Sequence, residues 1–266
     1  MGLGILALLY PVGFVLVPKI EMAFAFPRTG FQRMTLAAEH IFLTGAEGNR
    51  ISAAWSPAGD PLSPVVLYFH GNGDVLASLD SEVLYFNTLG SSVFAPDYPG
   101  YGESSGSPTQ VNVSDMAQRA FAWLTDQQKI LPSRIIIVGF SIGTGPAAEL
   151  ALRHPQAGGL VLLSAYASLQ AFAEALYGFA PQRWWFLQDT FTTLQKVGSI
   201  RVPTLVVHAT ADPLIPFSQG QAIFAALGTH KKQFLQLPGI QHAGVLDTGS
   251  LFEKAWHEFF VVPSKK

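Results

Sequence analysis

Short apolar runs, each closed by turn residues, alternate with stretches of helical spacing along most of the chain. The runs are PVVLYFH (64–70), SSVFAPD (91–97), RIIIVGF (134–140), GLVLLSA (159–165), PTLVVHA (203–209) and KQFLQLP (232–238). Runs this uniformly apolar suit parallel strands buried on both faces. Between them, Val75, Leu79, Val83 and Phe86 predict one helical stripe. Ala117, Ala120, Phe121 and Leu124 predict another, behind a Ser114 cap. Upstream, Ala38–Thr44 and Asn49–Trp55, joined by Gly45–Gly48, read as an antiparallel hairpin. The expected class is α/β, a doubly wound and mostly parallel sheet with helices on both faces. In such a fold ligands bind at the carboxyl ends of the strands, so those loops come first.

Composition narrows the function. The 266 residues are 49% hydrophobic and only 13% charged, with 16 basic against 18 acidic side chains. A net charge of −2 cannot neutralise many phosphates, so nucleic acid is excluded as a partner. The absence of cysteine excludes disulfides, thiolate metal sites and a thiol nucleophile. The remaining His and carboxylates lack ligand-like spacing, so no metal or cofactor is expected.

Residues 1–26 form a distinct segment. From Gly2 to Pro18 there is no charge, and Ala23–Phe26 extends the apolar character past Lys19 and Glu21. Its length sits at the low edge of the ~17–25 residues that span a bilayer. The segment reads as a membrane anchor, ahead of a cleaved signal or a helix packed on the protein itself. Lys19, Arg28 and Arg33 follow it, which favours a cytoplasmic catalytic domain over a secreted or periplasmic one. Removing these residues leaves the charged share at about 13%. The deficit lies in the rest of the chain, where His154–Ala173 and Pro213–His230 hold no Asp, Glu, Lys or Arg. The active-site face is therefore expected to rest on a membrane or a partner.

Gly139-Phe140-Ser141-Ile142-Gly143 matches G-x-S-x-G between a strand-like run and a helix-like one, GPAAELALRH (145–154). A strand, a sharp turn and a helix make a nucleophile elbow. Glycines permit the tight backbone, the hydroxyl projects from the turn, and the helix N-terminus faces a developing oxyanion. Two later strands end in the partners such a serine needs, Asp212 in HATADPLIP and His242 in GIQHAG. The expected roles are attack by Ser141, proton transfer by His242, and orientation of that imidazole by Asp212. Asp189 and Asp247 are alternative acids. In YFHGNGD (68–74) the glycine-rich turn would aim the Asn72 N–H at the serine. Beside the Ile142 N–H it would complete an oxyanion hole. His40, His154, His230 and His257 read as surface groups, and His208 as a core histidine.

The blocks HGNGD, APDYPGYGESSGSP, RIIIVGFSIGTGPAAELALRHP, HATADPLIP and GIQHAG together resemble the α/β-hydrolase superfamily over residues 35–260. Within it the chain is most similar to N-terminally anchored ABHD-type serine hydrolases and their bacterial relatives. The resemblance implies an eight-stranded sheet, carries Ser141, Asp212 and His242 over as a triad, and carries over Asn72 and Ile142 as oxyanion donors. It also makes Asp97–Gly102 structural support near the site. Two departures stand out. Ala243-Gly244 follows the histidine where the family often has Asn-Asp, and this chain has no cysteine where some anchored relatives have a cysteine-rich N-terminal segment.

Residues 27–266 are read as one hydrolase domain with a cap inserted at about 166–202. There Phe172 and Leu176 recur at helical spacing, and Trp184 and Trp185 follow. The stripe either packs on the sheet or lines an acyl pocket. Without clustered Arg or Lys, the expected substrate is a small lipophilic acyl ester or thioester, neutral and of medium chain. The alternatives are a serine peptidase or amidase, for which Glu174 and Asp189 are the available amine-binding acids, and a membrane-tethered scaffold without catalysis.

Overall fold

The computed structural model describes residues 38–177, 191–246 and 250–260, with backbone alone at 173 and 175–177. The expected hairpin forms from β1 (Glu39–Thr44) and β2 (Arg50–Ser56), paired antiparallel with Leu43 opposite Ile51. The apolar runs become β3 (Val65–Phe69), β4 (Ser92–Pro96), β5 (Ile135–Phe140), β6 (Gly159–Leu163), β7 (Thr204–Ala209) and β8 (Lys232–Leu237). They join one eight-stranded sheet in the order β1-β2-β4-β3-β5-β6-β7-β8, parallel from β4 to β8.

Strand side chains alternate between two cores, as the pleat requires. Leu67, Ile137, Leu162 and Val206 face one core, shared with α2 (Gln110–Ala122) and α3 (Thr144–Arg153). Val66, Val138, Val161 and Val207 face the other, under Phe86 of α1 (Asp80–Thr88) and Trp256 of α7 (Ser250–Phe260). The remaining helices are α4 (Leu169–Tyr177), α5 (Thr193–Lys196) and α6 (Phe217–Ala226).

Two local expectations are corrected. Val75 and Leu79 are buried, but they flank a 3₁₀ turn at Leu76–Ser78, and the helix begins only at Asp80. The second stripe starts earlier than Ser114. Thr109 caps α2 by accepting from the Asn112 N–H at 3.2 Å, while Ser114 lies inside the helix and donates to Glu149. Among the described residues no helix is long and apolar enough to cross a membrane. The anchor expected at residues 1–26 lies outside the described residues, as do Trp184, Trp185, Asp189 and Asp247.

Candidate active site

Strand order reverses around β3, whose neighbours are β4 and β5. The loops leaving the carboxyl ends of β3, β5, β7 and β8 carry Asn72, Ser141, Asp212 and His242. That is the edge at which doubly wound sheets place their ligands.

Ser141 stands between β5 and the 3₁₀ turn Ser141–Gly143 that runs into α3, with φ at +52°. Left-handed backbone at a residue with a side chain is strained, and here the strain lifts the hydroxyl out of the turn. The flanking glycines are sterically necessary. A Cβ on Gly143 would strike the Phe69 carbonyl, and one on Gly139 the Gly143 carbonyl. The G-x-S-x-G spacing is therefore a packing requirement between strand and helix.

His242, in a 3₁₀ turn after β8, places Nε2 2.9 Å from Ser141 Oγ. Its Nδ1 lies 2.7 Å from Asp212 Oδ2. The other Asp212 oxygen, Oδ1, accepts the N–H groups of Leu214 and Ile215, each at 2.9 Å. Burial alone would push this carboxyl up. The hydrogen bonds from His242 and Ile215, together with the His242 charge and the Leu214 N–H, outweigh it and hold Asp212 below the usual range. An ionised, fully enclosed carboxylate fixes the imidazole with Nδ1 protonated, leaving Nε2 free to accept the serine proton.

His208 is buried as expected, but it also contributes to the site. Its Nε2–H donates to the Ile215 carbonyl at 3.0 Å, and the same nitrogen lies 3.8 Å from Asp212 Oδ2. Burial pushes this imidazole down, so it stays neutral beneath the Asp212 turn. No local pattern signals this role, because the pairing depends on the turn after β7.

The Asn72 loop is tied down by the Asp97–Gly102 segment. Asp97 Oδ1 accepts the Leu76 N–H at 2.9 Å, and Tyr98 Oη donates to the His70 carbonyl at 2.7 Å. Tyr101 Oη donates to Asn72 Oδ1 at 3.2 Å, and the Gly71 N–H donates to Asp74 Oδ2. Among the described residues, no turn or loop backbone bond occupies the Asn72 or Ile142 N–H. Of the cap residues, Phe172 packs half-buried on the core and on Tyr166, whose Oη donates to the Ile142 carbonyl at 3.3 Å. The backbone of Leu176 continues the same helix. His40, His230 and His257 are exposed, whereas His154 is half-buried and stacks on Phe121 with ring centroids 3.9 Å apart.

A strained serine, a histidine and an enclosed carboxylate in series at the edge of this sheet define a hydrolase-type fold and site. The chain belongs to the α/β-hydrolase superfamily, whose fold family matches residues 64–195. It is 33% identical over 192 residues to human alpha/beta hydrolase domain-containing protein 17B, covering 71% of this chain and 64% of that protein. It is 30% identical over 197 residues to mouse protein 17C, covering 73% of this chain and 59% of that one. The chain thus matches less than two thirds of either relative's length. Among solved structures it resembles the Pyrococcus furiosus esterase Pf2001, with a TM-score of 0.68 at 19% identity over 88% of this chain and 97% of that one. It also resembles a Mycobacterium tuberculosis puromycin-hydrolyzing peptidase, with a TM-score of 0.68 at 21% identity over 84% of this chain and 39% of that one. At such identities the two structures share the fold with this chain.

Proposed function

We propose that this hydrolase is a serine enzyme that cleaves lipophilic carboxylic esters or thioesters through an acyl-enzyme. The observation that carries the reading is the unbroken line from Ser141 Oγ through His242 to Asp212, with spacings of 2.9 and 2.7 Å. In the first half-reaction Oγ attacks the acyl carbon as its proton passes to His242 Nε2, and that proton then leaves on the departing oxygen or sulfur. Asp212 stabilises the imidazolium formed between the two transfers. The Ile142 and Asn72 N–H groups hold the oxyanion, each worth about 3–4 kcal/mol. Water then takes the place of the alcohol or thiol and the sequence runs in reverse, releasing the acid.

The lipophilic preference rests on the uncharged stretch His154–Ala173 leading into α4 and on Phe172 beside Tyr166. Of the two acids a peptidase could use to bind an amine, Glu174 accepts from Gln170 Nε2 at 2.9 Å, and Asp189 lies outside the described residues. Membrane association through residues 2–26 belongs to the same proposal and rests on the uncharged run Gly2–Pro18 and the apolar Ala23–Phe26.

Fluorophosphonate labelling tests the serine. The wild type should label, and Ser141→Ala should not; labelling that survives the substitution would overturn the assignment. Aryl esters of graded length should show their highest kcat/KM at medium chains, and a maximum at acetate or at charged acyl groups would refute the substrate class. The full chain should float with liposomes, whereas a chain left wholly in the soluble fraction would refute membrane association.

A further inference from the structure

A cavity of about 140 Å³ lies beside the general base and takes no part in the chemistry described above. Two of its walls adjoin the triad in sequence: Phe140 precedes the serine, and Ala243 follows the histidine. The Phe140 ring sits 5.2 Å from the His242 ring, so the cavity flanks the imidazole that must protonate a departing group. Its volume corresponds to about five waters, room for a small alcohol and too little for an acyl chain.

The lining is amphiphilic. Phe140, Ala243 and Val245 give an apolar side, while Tyr68, Tyr85, Ser81 and Glu82 give a polar one. Tyr68 is only 1% exposed. Tyr85 Oη is enclosed and without a hydrogen-bond partner among the described residues. An unmet phenol in a small cavity is unusual, since enclosed polar atoms nearly always find a partner. Both phenols are pushed up, first by burial, then by Glu82 and Asp74 at Tyr68 and by Glu253 at Tyr85. The field in the cavity is thus negative, and no Lys or Arg lines it. Ser81 Oγ donates to Glu82 Oε2 at 2.9 Å, holding the carboxylate at the half-exposed side.

We propose that this cavity is the leaving-group subsite, and that it selects substrates whose alcohol is a small cation, an amino alcohol or a quaternary ammonium alcohol. This rests on the serine-hydrolase reading above. The acyl carbon bonds to Ser141 Oγ, the bond to the alcohol oxygen breaks, and that oxygen takes the proton from His242 Nε2. The cationic tail meanwhile lies against the Tyr68 and Phe140 rings, with Glu82 compensating its charge. An aromatic face and a carboxylate are the partners such an ammonium needs.

The test compares two esters of one acid on the full-length protein, octanoylcholine and the uncharged isostere 3,3-dimethylbutyl octanoate. The wild type should prefer the choline ester by about fivefold in kcat/KM, the effect of one half-exposed carboxylate. Glu82→Gln should bring the ratio near unity, and Glu82→Lys should invert it. A wild-type ratio at or below unity, or a ratio that Glu82→Gln leaves unmoved, overturns the proposal. If Ser141 labels but neither ester turns over, calorimetry decides. Choline must then bind, 3,3-dimethylbutanol must bind more weakly, and the difference must vanish in Glu82→Gln; any other result overturns it. If Ser141 does not label at all, the serine-hydrolase reading has failed and this inference falls with it.

Discussion

Ile215 bonds to His208 through its carbonyl and to Asp212 through its N–H, at 3.0 and 2.9 Å, so one residue joins a buried histidine to the carboxylate that holds His242. His208→Phe would fill the space but leave the Ile215 carbonyl without its donor. An enclosed unpaired carbonyl costs about 1–3 kcal/mol. Thermal or urea unfolding should show that loss, and kcat/KM should fall by roughly tenfold as the Asp212 turn loosens. Unchanged stability and activity would show that His208 serves only as filling.

The elbow should trade stability for activity. Ser141 holds φ at +52°, which glycine adopts freely and alanine does not. Both Ser141→Ala and Ser141→Gly should abolish ester hydrolysis. Ser141→Gly should nevertheless be more stable than Ser141→Ala by about 0.5–1 kcal/mol. Denaturant midpoints of the two inactive variants measure this without interference from turnover. Equal midpoints would mean that the turn carries no backbone strain.

Much of this site was readable in the sequence, because its parts are local. Strand runs end where turn residues say they should, and Gly139, Ser141 and Gly143 announce a turn whose geometry only glycine flanks allow. The order Ser141, Asp212, His242 then follows the strands. What the sequence concealed depends on pairings across the fold. Ser114 looks like a helix cap by type, yet the Thr109 hydroxyl reaches the Asn112 N–H first and leaves Ser114 to bond Glu149, 35 residues away. The 3₁₀ turn at Leu76–Ser78 keeps the apolar spacing of a helix, although Val75 packs into one core and Leu79 into the other. No periodicity distinguishes the two.

Stability should fall in two stages on acidification. His208 and His154 both have lowered pKa values, burial being the leading cause at each. Below about pH 6.5 the unfolded chain therefore takes up protons that the native state refuses, and stability declines. At Asp212 and Glu149 burial opposes ionisation, but the bonds to His242 and to Lys196 prevail, and both pKa values are lowered. Their contribution is complete above about pH 5 and is lost as pH falls through the native values. Urea midpoints from pH 8 to pH 3 should decline gently at first and then steeply. His208→Phe should flatten the first stage alone, and a single steep stage in the wild type would contradict the histidine part.

Glu149 should matter for stability beyond its single charge. It lies on α3, 8% exposed, and accepts from Ser114 at 3.0 Å, Arg153 at 2.8 Å and Lys196 at 3.0 Å. Gln110 reaches it at 3.4 Å and also accepts the Phe191 N–H at 3.2 Å, so α2, α3 and the segment carrying Phe191 and Lys196 meet at one carboxylate. Arg153 and Lys196 are partly exposed and can return to water, which limits what the ion pairs contribute. Glu149→Gln keeps an acceptor for Ser114 and should cost about 1 kcal/mol at neutral pH. Glu149→Ala removes every acceptor from a nearly closed site and should cost about 2–3 kcal/mol. The gap between the wild type and Glu149→Gln should close as pH falls through the lowered native pKa of Glu149, where the wild-type carboxyl becomes protonated and the glutamine matches it. Urea unfolding of the three proteins from pH 7 down to pH 3 checks this, and a Glu149→Ala variant as stable as the wild type at pH 7 would reduce the cluster to an incidental surface pairing.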